Sequence, residues 1–232
     1  MKRNREIRAA ALEALKGRWG WAILVCIIYV AISCMGAIPN GMASGMRSAS
    51  MLNGNHYIMP ALAGISVTLS LVSAGLMIFA VAPLGVGFSN SFVRYYKKEG
   101  DNNQVIATMF SLGFAGGRYW RNVAGMLLAG VFIFLWTLLF IVPGIIKSYA
   151  YAMTPYILID NPELGPNEAR LKSIEMMRGY KGKLFGLDLS FIGWHLLCIL
   201  SLGIGYIWLQ PYLSTARAAF YQELLNAQKI EN

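Results

Sequence analysis

Asp188 and Arg217 each interrupt an apolar run, and an ionisable side chain in such a place is where chemistry would first be sought. Asp188 lies five residues past Lys183, which at about 1.5 Å per helical residue is ~7–8 Å beyond that basic edge. Arg217 lies six residues before Glu223, at a comparable depth in the next apolar stretch. A charge buried in lipid is costly, so it marks either a functional group or a paired one. The functional reading is a gated or substrate-binding charge pair for a small solute. The structural reading is an ion pair that fixes helix register, or an Arg217 that snorkels to the headgroups.

His195 follows Asp188 by seven residues on the same helical face. That spacing is ~10.5 Å along the axis, too far for a direct acid–base dyad. It suits a proton path, or a hydrogen bond to a neighbouring helix. Pro83, Pro155 and Pro211 would each free a carbonyl one turn earlier, either for an ion or substrate or simply to kink a packed helix. Lys147, Tyr149, Tyr151 and Tyr156 could line an outer vestibule, although Lys147 and Tyr149 also suit interface anchoring.

Other chemistry lacks its residues. The chain has no Gly-rich phosphate loop ending in Lys and Ser/Thr, no H-E-x-x-H, and no cluster with metal-ligand spacing. Asp188 stands alone, whereas an aspartyl intramembrane protease needs two facing acids. Cys26, Cys34 and Cys198 are scattered through apolar stretches, which suits small buried hydrophobes and not a disulfide framework. The expectation is a non-enzymatic protein with no cofactor and no metal.

The elements that would carry these residues follow from composition. Of 232 residues, 56% are hydrophobic and only 13% are charged, against about 25% charged in a soluble domain. Too little polar surface remains to face water. The net charge of +9 is broken into short clusters beside apolar runs, which reads as topology signals and headgroup contact, not as a nucleic-acid face. The N-terminal basic segment is too long and helical for a signal peptide, and the run after it exceeds the usual ~7–15 apolar residues, so it is read as a retained span.

Along the chain, Lys2 to Lys16 forms an amphipathic helix with Ile7, Ala11, Leu12 and Leu15 on one face. Spans are expected from Trp19 to Ile38, Pro60 to Val93, Asn122 to Val142, Ile145 to Ile159, Leu184 to Leu202 and Tyr206 to Tyr221. Pro39 to Met59 reads as a Gly-, Ser- and Asn-rich outer loop, and Pro143–Gly144 as a turn. Gln104 to Phe114 and Pro166 to Gly179 are two further amphipathic helices. Of 20 Lys and Arg residues, only Arg47 and Lys147 then fall on the outer side, which gives six spans with both termini cytoplasmic.

A unit of amphipathic helix, basic-aromatic join and helical pair occurs three times, either as a divergent internal repeat or because any membrane hairpin between cytoplasmic segments looks alike. The joins read KGRWG from Lys16, GRYWRN from Gly117 and GYKGK from Gly179. The expected architecture is an all-α polytopic transmembrane helical bundle of six spans in three hairpins, each preceded by an amphipathic cytoplasmic-surface helix. It forms one domain, 1–232, with possible units at 1–100, 101–162 and 163–232. All units enter from the same side, so the inverted repeat of many transporters is absent.

The stretch FIFLWTLLFIVPGIIKSYAYAMTPYILIDNPELGPNEARLKSIEMMRGYKGKLFGLDLSFIGWHLL from Phe132 to Leu197 carries PGI at Pro143, TPYIL at Thr154, DNPEL at Asp160 and LSFIGW at Leu189. It resembles the bacterial integral-membrane family catalogued as domain of unknown function 975. REIRAAALEALKGRWGWAI near the N-terminus and LGIGYIWLQPYLSTARAAFYQEL near the C-terminus fit the same pattern. The resemblance implies a bacterial multi-span protein of unassigned activity and brings no catalytic or binding residues. The expected location is the bacterial inner membrane.

Two functional expectations follow. Lys16, Arg18, Arg118, Arg121, Lys181 and Lys183 could contact anionic lipid headgroups, each worth about 1 kcal/mol near the surface, or an envelope partner or second copy. Alternatively, Asp188, Arg217 and His195 serve a small-solute transporter or channel.

Overall fold

The computed structural model describes residues 2–52, 59–114 and 117–231. Among them there are helices and turns and no strand. The first helix, α1 (Asn4–Leu15), buries Ile7, Ala11, Ala14 and Leu15. Leu12 is on the opposite side, 44% exposed. Its N-terminus is closed by Glu6, whose carboxylate accepts from the Arg3 backbone N–H at 3.1 Å. Gly17 takes a positive φ of 79°, and the chain turns by 98° into α2 (Trp19–Leu52). A glycine at this elbow avoids the steric cost of a left-handed backbone.

At 34 residues, α2 runs well past the expected span end at Ile38. The expected outer loop is therefore helical through Leu52, and its remainder at 53–58 lies outside the described residues. Gly, Ser and Pro read as breakers by the standards of water, where a freed backbone group is readily solvated. The interspersed Ala and Met residues favour helix, and a helix already started gains one hydrogen bond per added residue.

The expected second span is one long helical rod, Pro60–Lys97. It comprises α3 (Met59–Leu76), a π-helical turn (Met77–Val81) and α4 (Ala82–Lys97). Pro83 supplies no N–H to the Phe79 carbonyl one turn back. Tyr119 takes that carbonyl instead, its hydroxyl donating at 2.7 Å. A helix-capping turn follows, with Lys98 at φ 57° and Glu99 N–H reaching the Arg94 carbonyl at 3.0 Å.

After α5 (Asn102–Phe114) come α6 (Tyr119–Leu139) and α7 (Ile141–Tyr151). The break between these two is at Phe140, which is extended (φ −156°, ψ 140°). The turn thus precedes the expected Pro143–Gly144, since Pro is well tolerated in a helix's first turn. Gly144 lies against Thr137, where a Cβ would come within 2.2 Å of the Thr137 Oγ1. The expected fourth span is two helices, α7 and α8 (Thr154–Asp160), broken at Ala152–Met153 just ahead of Pro155.

The remaining helices are α9 (Pro166–Met176), α10 (Lys181–Leu189), α11 (Ile192–Leu200) and α12 (Tyr206–Glu231). α9 starts on Pro166, and Glu168 accepts from the Gly165 N–H at 2.7 Å. α12 contains Pro211 and continues ten residues beyond the expected end at Tyr221.

Burial divides the molecule. A tightly packed core draws mainly on α1, α4, α5, α8, α9 and the second half of α12, with Leu15, Leu84, Phe92, Tyr95, Ile157 and Phe220 fully buried. α4 and α5 approach backbone to backbone: a Cβ on Gly87 would fall 1.9 Å from the Met109 carbonyl oxygen. Elsewhere the helices expose apolar side chains, among them Leu71, Leu138, Phe140, Ile141, Leu200 and Leu202. Such a surface is unusual for a soluble monomer. Among the described residues, three helices are long and apolar enough to cross a membrane, Pro60–Lys97, Tyr119–Leu139 and Lys181–Leu200. The bent pair α1–α2 is a fourth if it is taken as one span. This is the signature of a membrane protein.

Candidate functional site

Asp188 on α10 and Arg217 on α12 meet, which is the pairing alternative and not the snorkelling one. Arg217 Nη2 donates to Asp188 Oδ2 at 2.9 Å and Nε donates to Oδ1 at 3.3 Å. This two-pronged geometry uses the planar guanidinium fully and holds both rotamers. α7 adds a third member: the Tyr149 hydroxyl donates to Asp188 Oδ2 at 3.2 Å. Tyr149 therefore belongs to the charged cluster. The Asp188 side chain is 18% exposed and that of Arg217 47%.

The cluster borders a cavity of about 270 Å³, also lined by Ser89, Ser148 and Tyr156. Tyr156 stacks on Tyr221 (centroids 4.9 Å apart, planes at 20°), and Tyr221 donates to Asp160 at 2.8 Å. The cavity mixes hydroxyls, one acid and one base, so it can hold water or a small polar solute. Because the acid and base neutralise each other, it offers no net charge to an ion.

His195 is not part of this cavity. Its helical register with Asp188 is broken by the turn at Ser190–Phe191. The ring instead meets the first residue of α12, with Nδ1 3.4 Å from the Tyr206 hydroxyl. This is the neighbour-helix contact that was one of its two expected roles.

The six basic residues of the joins divide. Arg121 is engaged in backbone capping: its guanidinium donates to the carbonyls of Leu158, Asn161, Pro162 and Leu164 at the end of α8. The carbonyls at a helix C-terminus carry partial negative charge, which a cation offsets. Arg121 is thus occupied within the protein. Lys16 is exposed, and Arg18, Arg118, Lys181 and Lys183 are half-buried.

Two arginines carry structural weight that their spacing did not advertise. Arg170 is 8% exposed, with its guanidinium 4.2 Å from the Phe132 ring centre and 5.4 Å from that of Tyr151. Asn167 Oδ1 accepts from Nε at 3.1 Å and from Nη2 at 2.6 Å, and Nη1 meets the Tyr151 hydroxyl at 3.3 Å. Aromatic faces and neutral acceptors here take the place of a counter-ion. Arg8 sits 5.0 Å above the Phe191 ring and donates to Tyr212 and to the Ser190 carbonyl. A basic residue at helical spacing on α1 was the only available signal, and it is shared by its exposed neighbours. Lys147 likewise lies 4.8 Å over Trp136.

Neither a curated protein nor a solved structure matches this sequence. One family model does, over residues 104–228, the span that holds α6 to α11, the charged cluster and most of α12. With more than half its length matched, the chain belongs to the family described as protein of unknown function DUF975.

Proposed function

We propose that this is a non-enzymatic bacterial inner-membrane protein that organises or modulates envelope components through contact of its basic cytoplasmic face with anionic lipid or a protein partner. The protein crosses the membrane six times as three hairpins, with both termini in the cytoplasm.

The observation that carries this reading is the position of the basic joins. Lys16 and Arg18 precede α2, Arg118 precedes α6, and Lys181 and Lys183 open α10. A helix N-terminus has a partial positive charge, so each cluster sits at the end where it disfavours the helix. Local helix stability therefore does not account for it. Attraction to an anionic leaflet and retention on the cytoplasmic side do. The second candidate span also ends on Arg94, Lys97 and Lys98, which supports the same side.

The test is lipid selectivity in reconstituted vesicles, read with spin-labelled phosphatidylglycerol and phosphatidylcholine. Neutralising Lys16, Arg18, Arg118, Lys181 and Lys183 together should lower the motionally restricted phosphatidylglycerol fraction, and so should high salt. An unchanged fraction sinks the reading. The second reading is a small-solute pathway, which the polar cavity at Asp188, Arg217 and Tyr149 favours. It requires flux that Asp188→Asn abolishes while the protein stays folded.

A further inference from the structure

A groove in the protein has a volume of about 570 Å³. It opens at the elbow of α1 and α2 and runs beside α11 and the start of α12. Arg8 and Trp19 line it from the elbow, Trp194 and Leu197 from α11, and Trp208 and Tyr212 from α12. Apart from Arg8, the walls are overwhelmingly apolar. Trp194, Leu197 and Trp208 are each about half exposed, so the groove is open at the side where the apolar surface lies.

Arg8 is the unusual member. Its Nε and one Nη1 hydrogen bond are directed to Tyr212 and the Ser190 carbonyl, and no protein acceptor is found for Nη2 among the described residues. Guanidinium has five N–H donors. No carboxylate among the described residues pairs with it. The groove therefore presents at one end a cation held by the Phe191 ring, Tyr212 and the Ser190 carbonyl without a carboxylate partner, and a channel for hydrocarbon along the rest. The 98° bend between α1 and α2 sets Arg8 on the helix flanking the membrane-crossing one, which is where a headgroup phosphate meets its acyl chains. Tryptophans are enriched at that same level.

We infer that this groove binds one anionic phospholipid, with an acyl chain along Trp194, Leu197 and Trp208 and the headgroup phosphate on Arg8. This deepens the lipid-contact reading proposed above and rests on it, adding a defined site to a general preference. Apolar contact alone would admit any lipid. The charge at Arg8 selects for a net negative headgroup, since a zwitterionic one brings its own cation.

The test uses the full chain in phosphatidylcholine vesicles with acyl-brominated lipids, which quench tryptophan on contact. Two single-tryptophan proteins are compared, with the other tryptophans replaced by Phe. Trp194 reports the groove, and Trp120, 68% exposed beside Arg118 and Arg121, reports the basic face. Brominated phosphatidylglycerol should half-quench Trp194 at a mole fraction about fivefold below that of brominated phosphatidylcholine, the ratio expected from about 1 kcal/mol for one basic residue. Arg8→Gln should erase this ratio and Arg8→Lys should keep it. Leu197→Phe, which fills the groove without touching Arg8, should reduce quenching by both lipids. Size-exclusion profile and helical circular dichroism identify any variant that fails to fold.

Equal quenching of Trp194 by the two lipids overturns the inference. If Trp120 still prefers phosphatidylglycerol in that case, the groove falls and the basic-face reading stands. If neither reporter shows a preference, both fall. A ratio that survives Arg8→Gln in a folded protein also overturns it, because the phosphate would then be held elsewhere.

Discussion

Removing one partner of the Asp188–Arg217 pair should cost more than removing both. Asp188→Asn leaves a guanidinium that had two charge-assisted bonds, at 2.9 and 3.3 Å, facing an amide. Arg217→Gln leaves a carboxylate, 18% exposed, with only the Tyr149 hydroxyl at 3.2 Å. Breaking a fully buried pair costs about 3–5 kcal/mol and breaking a surface pair about 0–1. With Arg217 47% exposed, the expectation lies between, at about 1–3 kcal/mol for each single variant. The double variant Asp188→Asn/Arg217→Gln leaves no unpaired charge, and the two amides can bond each other. It should be no worse than either single change, giving a coupling energy of at least about 1–3 kcal/mol. The assay is reversible unfolding in mixed micelles, read by circular dichroism for all four proteins of the cycle. Additive losses in the double variant would refute the idea that the pair is a structural unit.

Other perturbations test the packing and the caps. Gly87→Ala forces a methyl group into the Met109 backbone and should destabilise by at least the ~1–3 kcal/mol of ordinary overpacking, measured by the same unfolding assay. Arg170→Met keeps an unbranched apolar stem but loses the Asn167 bonds and the charge over Phe132. It should lower the unfolding midpoint, with Arg170→Lys recovering only part because lysine cannot reproduce the planar fork. Lys2 is held above its ordinary value of 10.5 mainly by its hydrogen bond to Glu223, with the attraction of that carboxylate next. Its contribution to stability is therefore fully present below pH 10.5 and lost as pH rises through the higher folded value. A Glu223→Gln protein should show less of this alkaline loss in a pH series of unfolding midpoints.

The sequence announced what depends on local periodicity. α1 was legible because Ile7, Ala11 and Leu15 repeat at helical spacing, and the joins because charge and aromatics cluster before apolar runs. The Asp188–Arg217 meeting was one of the outcomes that depth allowed, since the two lone charges lie at comparable distances from Lys183 and Glu223. His195 was not, because its register with Asp188 assumed an unbroken helix, and a turn at Ser190–Phe191 intervenes. Arg121 and Arg170 were hidden for a different reason. Arg121 finds carbonyls about forty positions along the chain, and Arg170 finds the ring of Phe132 on α6. Sequence spacing carries no trace of contacts made between helices. The extension of α2 through Leu52 was missed because Gly, Ser and Pro were read by their behaviour in water.

The most direct measurement is the sidedness of the three basic joins. Single cysteines at exposed Glu13, Glu99, Glu163 and Arg178, and at Leu202 in the turn after α11, would be placed in a protein lacking Cys26, Cys34 and Cys198. A membrane-impermeant maleimide is applied to intact cells and to inverted vesicles. The proposed six-span arrangement predicts that the first four label only in inverted vesicles and that Leu202→Cys labels only in intact cells. Labelling of Glu99→Cys or Arg178→Cys from outside would contradict it, because the basic joins would then face opposite leaflets.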